Sequence, residues 1–212
     1  MKRVVILGTG GHARMVAALL HDMMEHGRAL TLAGHTSPDA PTGGDGGNIL
    51  GDDSLLPVLA RAGTATHFTL GIGSVRGGGE LRERLFETAL RAGLEPLTLR
   101  HSSAVVLPDA AVGRGSVLMP GSILCAGASL GDNTILNTRA SVDHDSRVGD
   151  HSHIAVGATL AGGVTVGRNA LVGAGATLSH GVSVGDCATV GAGAVVVRDV
   201  ESGRVAKGVP AK

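Results

Sequence analysis

Asp143-His144-Asp145 places one imidazole between two carboxylates in three consecutive residues. A carboxylate beside a histidine can fix the ring tautomer and raise its basicity, which is what a general base needs to take a proton from an attacking amine or hydroxyl. A lone histidine in a strand is more often structural or simply exposed; the flanking carboxylates set His144 apart.

A second candidate lies near the start. Gly8-x-Gly10-x-x-Ala13 fits the form of a dinucleotide fingerprint, with a helix N-terminus available for phosphate. Such a site also wants an acidic residue at the end of the second strand. Here that place reads Ala33-Gly34-His35-Thr36, so a nicotinamide cofactor is disfavoured. Cys125 and Cys187 lie far apart with no C-x-x-C, which suggests neither a disulfide framework nor a zinc site, and both read as small buried residues. No metal site is expected. His151 and His180 read as mainly structural, and His21, His26, His67 and His101 as surface or capping residues.

These groups must be held by two different kinds of chain. Residues 1–100 alternate short apolar runs with helical patterns. Val4 to Leu7, Ala29 to Ala33 and His67 to Ile72 read as strands, and Ala13 to Met24 and Glu80 to Ala92 as helices. Asp53-Ser54 can cap a further helix running to Arg61, and Ser37 to Asn48 is a Gly- and Pro-rich loop. Strand–helix alternation with short connections predicts an α/β domain, a parallel sheet with covering helices.

From His101 onward an aliphatic residue recurs at every sixth position, from Val106 through Val148, Ile154 and Leu160 to Val196, sixteen times without an insertion. Val, Leu and Ile make up about a quarter of the chain, so chance would produce this on the order of once in 10¹⁰ trials. Four residues after each aliphatic stands only Ala, Ser, Thr or Val, and the residue just after it is often Gly. A period of six fits neither an amphipathic helix nor simple alternation. It predicts a β-helix solenoid, with the aliphatic inside, the small residue at the corner and Gly relieving the turn.

Hexads such as Val148-Gly-Asp-His-Ser-His153 and Val172-Gly-Ala-Gly-Ala-Thr177 resemble those of the hexapeptide-repeat acyltransferases, whose fold is a left-handed parallel β-helix. Gly8-Thr9-Gly10-Gly11-His12-Ala13, His101-Ser102-Ser103-Ala104, Asn137-Thr138, Val142-Asp143-His144-Asp145 and Gly208-Val209-Pro210-Ala211-Lys212 extend the resemblance over the whole chain. They are similar to the sugar O-acyltransferases of the sialic-acid type, a type that includes bacillosamine and perosamine N-acetyltransferases. The resemblance implies a Rossmann-like, nucleotide-sugar-binding domain over residues 1–100 and a left-handed β-helix acetyltransferase domain over 101–212.

It also implies three hexads per coil, so that residues eighteen apart stack: His144, Gly162, His180. His144 is then the base and Asp145 its partner carboxylate. Gly162, without a side chain to block approach, is a candidate oxyanion donor through its backbone N–H; from spacing alone, Gly162-Gly163 equally reads as a mere corner. His153 falls half a coil from His144, so the two imidazoles cannot share a pocket within one chain. The resemblance makes His153 a contact to acetyl-CoA in a site shared between protomers of a homotrimer. The cofactor's arm would lie near Gly173, Ala174, Gly191 and Ala192, and the nucleotide-sugar would be held by Gly10, Gly11, His12 and Asn137. Relatives commonly carry an acidic pair after strand two and an Asn after the Gly-x-Gly of the later strand; this chain has His35-Thr36 and Gly73-Ser74.

Composition excludes other classes. Lys plus Arg equals Asp plus Glu at 18 each, so no basic surface advertises a nucleic acid or an anionic membrane. Phe68 and Phe86 are the only aromatics, too few for a base-stacking platform. The initial apolar run is too short for a signal h-region, and no span suits a membrane, so a cytoplasmic location is expected. The expected activity is acetyl transfer from acetyl-CoA to an amino group of a nucleotide-linked sugar. O-acetylation of a sialic-acid-like sugar and a non-catalytic β-helix scaffold or sugar-binding protein are the alternatives.

Overall fold

The structure, a computed structural model, describes residues 1–38, 48–74 and 79–212. The N-terminal domain is an all-parallel five-stranded sheet of β1 (Lys2–Leu7), β2 (Leu30–Thr36), β3 (Ile49–Gly51), β4 (His67–Leu70) and β5 (Glu95–Pro96), in the order β3-β2-β1-β4-β5. Helices α1 (Gly11–Glu25), α2 (Leu56–Arg61) and α3 (Gly79–Arg91) connect the strands. The strand order reverses at β1, the place where open parallel sheets present ligand crevices. The apolar run of β1 is continuous because both of its faces are covered. Val4 and Ile6 pack with Val16, Leu19 and Leu20 of α1, while Val5 and Leu7 pack with Phe68, Phe86 and Leu94 on the other side.

Two details depart from the sequence reading, and one expected loop is left untested. β2 runs on to Thr36 rather than ending at Ala33. The segment after β3 opens as a 3-10 turn, Asp53–Leu55, capped by Asp52, whose Oδ1 accepts from Ser54 N at 2.8 Å. The Ser37–Asn48 loop falls, between 39 and 47, outside the described residues.

Beyond the sheet the chain winds into a three-sided parallel β-helix. Its faces carry six, five and seven strands of two residues each, and each strand pairs with the strand eighteen residues on, as in Ser141↔Thr159 and Val142↔Leu160. Parallel hexad coils of this kind are consistent with the left-handed form. The aliphatic positions from Leu118 to Val196 are buried in one continuous core. Val106 and Val112, at the open end, are half-buried and still pack against it. Leu99–Arg100 already pairs with Val117–Leu118, so the prism starts slightly before the pattern change at His101.

The corners explain the remaining hexad positions. From Ser116 onward the small residue four after the aliphatic is buried; Ser146 Oγ donates to Ala161 O at 3.0 Å and accepts from Val164 N at 3.0 Å, whereas Ser122 Oγ is buried without a partner. The left-handed backbone is not at the glycine just after the aliphatic but two residues later, where Asp145, His151, Asn169 and Cys187 have φ between 55° and 61°. The earlier glycine serves close approach instead: a Cβ on Gly149 would lie 2.7 Å from Arg168 N in the coil above. Cys187 is exposed and Cys125 half-exposed, so neither is the buried residue expected, because both sit at corners.

Among the described residues no helix is long and apolar enough to cross a membrane, and no group of three or more His, Cys, Asp or Glu is placed to hold a metal ion.

Candidate functional site

His144 stands on the corner between the face carrying Ser141–Val142 and the face carrying Arg147–Val148. Asp145, the next residue, has φ 60°. This left-handed turn swings its carboxylate back, so that Asp145 Oδ2 lies 2.9 Å from His144 Nδ1. The Asp145 hydrogen bond holds the imidazole pKa above its ordinary value, against a smaller opposing effect of burial. Asp143 turns elsewhere: its Oδ1 accepts from His144 N at 2.7 Å, and this bond holds its carboxyl below the usual range. One carboxylate thus orients the ring and the other orients the backbone. With Nδ1–H given to Asp145, Nε2 carries the free lone pair, beneath Gly162 on a half-exposed ring.

The column above His144 is built as the eighteen-residue spacing requires. Gly163 N donates to His144 O at 2.9 Å and Gly181 N to Gly162 O at 3.1 Å. A Cβ on Gly162 would overlap the imidazole at Nε2 and Cε1, so only glycine leaves the ring in place. The Gly162 N–H donates to no backbone carbonyl among the described residues. The His180 ring is exposed, its centroid 6.2 Å from that of His144.

His153 is placed differently. It is buried at 6% exposure on the face opposite the His144 corner, against the N-terminal domain. Asn137 Nδ2 donates to its Nε2 at 2.9 Å, and its Nδ1 lies 3.1 Å from Ser74 N and 3.3 Å from Ser74 O. Both ring nitrogens are therefore engaged inside the chain. Within one chain His153 ties the two domains together, because the N-terminal domain docks on that face. Burial pushes its pKa down to about 3, helped by Arg82 and His12. Asn137 is half-buried beside it, at the corner where Gly173-Ala174 stacks beneath Gly191-Ala192. Ala174 and Ala192 are exposed there, and nothing larger than a methyl group rises from those positions.

Gly10, Gly11 and His12 line a cleft of about 700 Å³ at the C-terminal ends of β1 and β4. Gly10 caps α1 without a side-chain hydrogen bond and the first turn of α1 holds no acidic residue, so its amide groups remain open to the cleft. His12 has its Nε2 buried without a partner, and burial, with Arg82 nearby, lowers its pKa to about 4. Its ring centroid lies 6.4 Å from that of His153.

Two residues in this region escaped the sequence reading. Arg82 is fully buried between the domains, donating to Ile72 O and to Asn133 Oδ1 at 2.8 Å, and burial brings its pKa down to about 9. Its signal was available: Arg82, Phe86 and Ala89 form one buried stripe on α3. Asp53 also lines the cleft, and no local pattern marks it.

A family of bacterial transferase hexapeptide repeats, six in number, matches residues 163–198. No curated protein matches the chain. Solved structures do. PerB from Caulobacter crescentus, in complex with CoA and GDP-perosamine, is 38% identical, with a TM-score of 0.90, over 100% of this chain and 97% of that one. The acetyltransferase domain of PglB from Neisseria gonorrhoeae, in complex with acetyl coenzyme A, is 32% identical, with a TM-score of 0.88, over 100% and 98%. WeeI from Acinetobacter baumannii shares the fold at 24% identity, with a TM-score of 0.85 over 100% and 99%.

Proposed function

This chain belongs to the hexapeptide-repeat sugar acetyltransferases, and we propose that it moves acetyl from acetyl-CoA to an amino group of a nucleotide-linked sugar. The observation that carries the reading is the His144–Asp145 pair beneath Gly162. His144 Nε2 takes the proton from the amine as nitrogen bonds to the thioester carbonyl carbon. As the carbon–sulfur bond breaks, the imidazolium returns the proton to the departing thiolate. Asp145 holds Nδ1–H through both steps, and the Gly162 N–H donates to the carbonyl oxygen as it gains charge. The pantetheine arm lies along the smooth corner of Gly173, Ala174, Gly191 and Ala192. The N-terminal domain, Rossmann-like in its strand order, holds the nucleotide-sugar at Gly10, Gly11 and His12.

His144 and the N-terminal cleft belong to opposite sides of one prism, since the domain docks on the face across from the His144 corner. We infer that a neighbouring protomer's cleft completes each site, in a homotrimer. The test is mass spectrometry of UDP-, GDP- and dTDP-linked amino sugars incubated with the protein and acetyl-CoA. A gain of one acetyl group, stable to hydroxylamine, on one member supports the reading; no gain on any member, or a hydroxylamine-labile ester, overturns it.

A further inference from the structure

The last residues of β2, His35 and Thr36, carry no carboxylate, yet the fold delivers one there. Thr36, the last residue of β2, is fully buried, and its Oγ1 donates to Asp53 Oδ1 at 2.6 Å. Asp53 belongs to the 3-10 turn that follows β3, seventeen residues further along the chain. It is half-buried on the wall of the cleft that Gly8 to Gly11 also line. Only one of its oxygens is used by Thr36. The adjacent Asp52 is spent on capping the same turn, and His35 on β2 has Nδ1 within 3.0 Å of Gly8 O. Among the described residues that line the cleft, Asp53 is the sole carboxylate.

We propose that Asp53 is the residue that positions the ribose of the nucleotide-sugar, its free carboxylate oxygen accepting from a ribose hydroxyl. This rests on the nucleotide-sugar reading of the cleft. The topology supports the assignment. With diphosphate on the open amide groups of α1, the ribose lies one strand over, at the end of β2. Gly8 N donates to Thr36 O at 2.7 Å, which puts the glycine turn and the Asp53 anchor side by side. Thr36 is then the residue that holds the carboxylate in register, and the sequence gap at His35-Thr36 is filled from the next connection.

The experiment is calorimetric titration of the full chain with GDP, UDP and their 2′-deoxy and 3′-deoxy forms. The unaltered chain should bind at least one ribonucleotide, and one of its deoxy forms about tenfold or more weakly. Asp53→Asn should weaken the ribonucleotide by a similar factor and bring the ribo-to-deoxy ratio close to one. Asp53→Glu, which keeps the charge, should restore part of that ratio, and acetyl-CoA affinity should stay unchanged in both. A chain that binds ribonucleotides and keeps its full deoxy discrimination as Asp53→Asn overturns the role of Asp53 and leaves the nucleotide-sugar reading standing. An unaltered chain that binds neither ribonucleotide, yet acetylates a free amino sugar, overturns both.

Discussion

Asp145 Oδ2 reaches His144 Nδ1 at 2.9 Å across a single peptide bond. Neighbours in a strand project to opposite sides. Here the left-handed φ of Asp145 brings the two side chains together, so the pairing is taken from the corner that every hexad must make. Gly127, one coil below, leaves the space for that carboxylate: a Cβ there would lie 2.6 Å from Asp145 Oδ1.

If His144 is the base, His144→Ala should lower turnover by roughly 10² to 10⁴ while acetyl-CoA affinity and melting temperature stay near their starting values. Asp145→Asn should cost less, because asparagine tolerates the left-handed turn and still contacts the ring. It replaces a charged acceptor by a neutral one and so weakens the interaction that raises the imidazole pKa, and the acidic limb of the rate profile should move to lower pH. Near-normal turnover of His144→Ala at saturating substrate would place the base elsewhere.

Gly162→Ala tests the column directly. The added methyl overlaps the imidazole rather than the core, so turnover should fall by about 10² or more with a melting temperature within a few degrees of the parent. Full activity in this variant would mean that the ring does not work from the position seen here.

The interior register is checked at Ile154, which is fully buried. Ile154→Asp buries an unpaired charge, which costs several kcal/mol, and the chain should be insoluble or melt far below the parent. A soluble protein with an unchanged thermal transition would show that the hexad frame is misassigned.

The docking of the two domains should depend on pH. Burial pushes the pKa of His153 down to about 3 and that of His12 to about 4, both below the ordinary histidine value of 6.5. The unfolded chain therefore binds these protons first, and stability is lost progressively as pH falls from about 6.5 towards 4. Replacing His153 by Gln should flatten the dependence of melting temperature on pH in that window. An equally steep fall in His153→Gln would assign the acid sensitivity to other groups.

Shared sites require association. Light scattering should give three chains per particle, and specific activity should fall on dilution below the assembly threshold. A monomer with undiminished activity at every dilution would remove the neighbouring cleft from the mechanism.

The prism was legible in the sequence because its rules are local. Each hexad repeats the same demands for an inward aliphatic and a small corner residue, so sixteen copies reinforce one reading. The His144 column was legible through the family resemblance, which implies three hexads per coil and so stacks residues eighteen apart. What escaped depends on docking. His153 looks like any hexad residue until the N-terminal domain covers its face, and nothing near Asp53 announces that it will meet Thr36. Arg82 reads as one more charge on a charged helix until the helix is seen between two packed surfaces. Cys187 was misread because a corner that usually takes Gly or Asn here exposes a thiol.

The uninterrupted ladder also dictates which insertions and deletions this lineage can accept. Removing one hexad keeps every aliphatic inside, but it rotates all later residues a third of a turn about the prism axis, carrying downstream side chains to a different edge. Removing three restores the phase and merely shortens the rod. Length changes in multiples of eighteen residues are silent for the angular position of His144 relative to the docked domain, whereas a lone six-residue change upstream of it moves His144 to another edge without unfolding a single coil. Length change in such a protein is therefore quantised: the core keeps its register in steps of six, and the edge that carries His144 only in steps of eighteen.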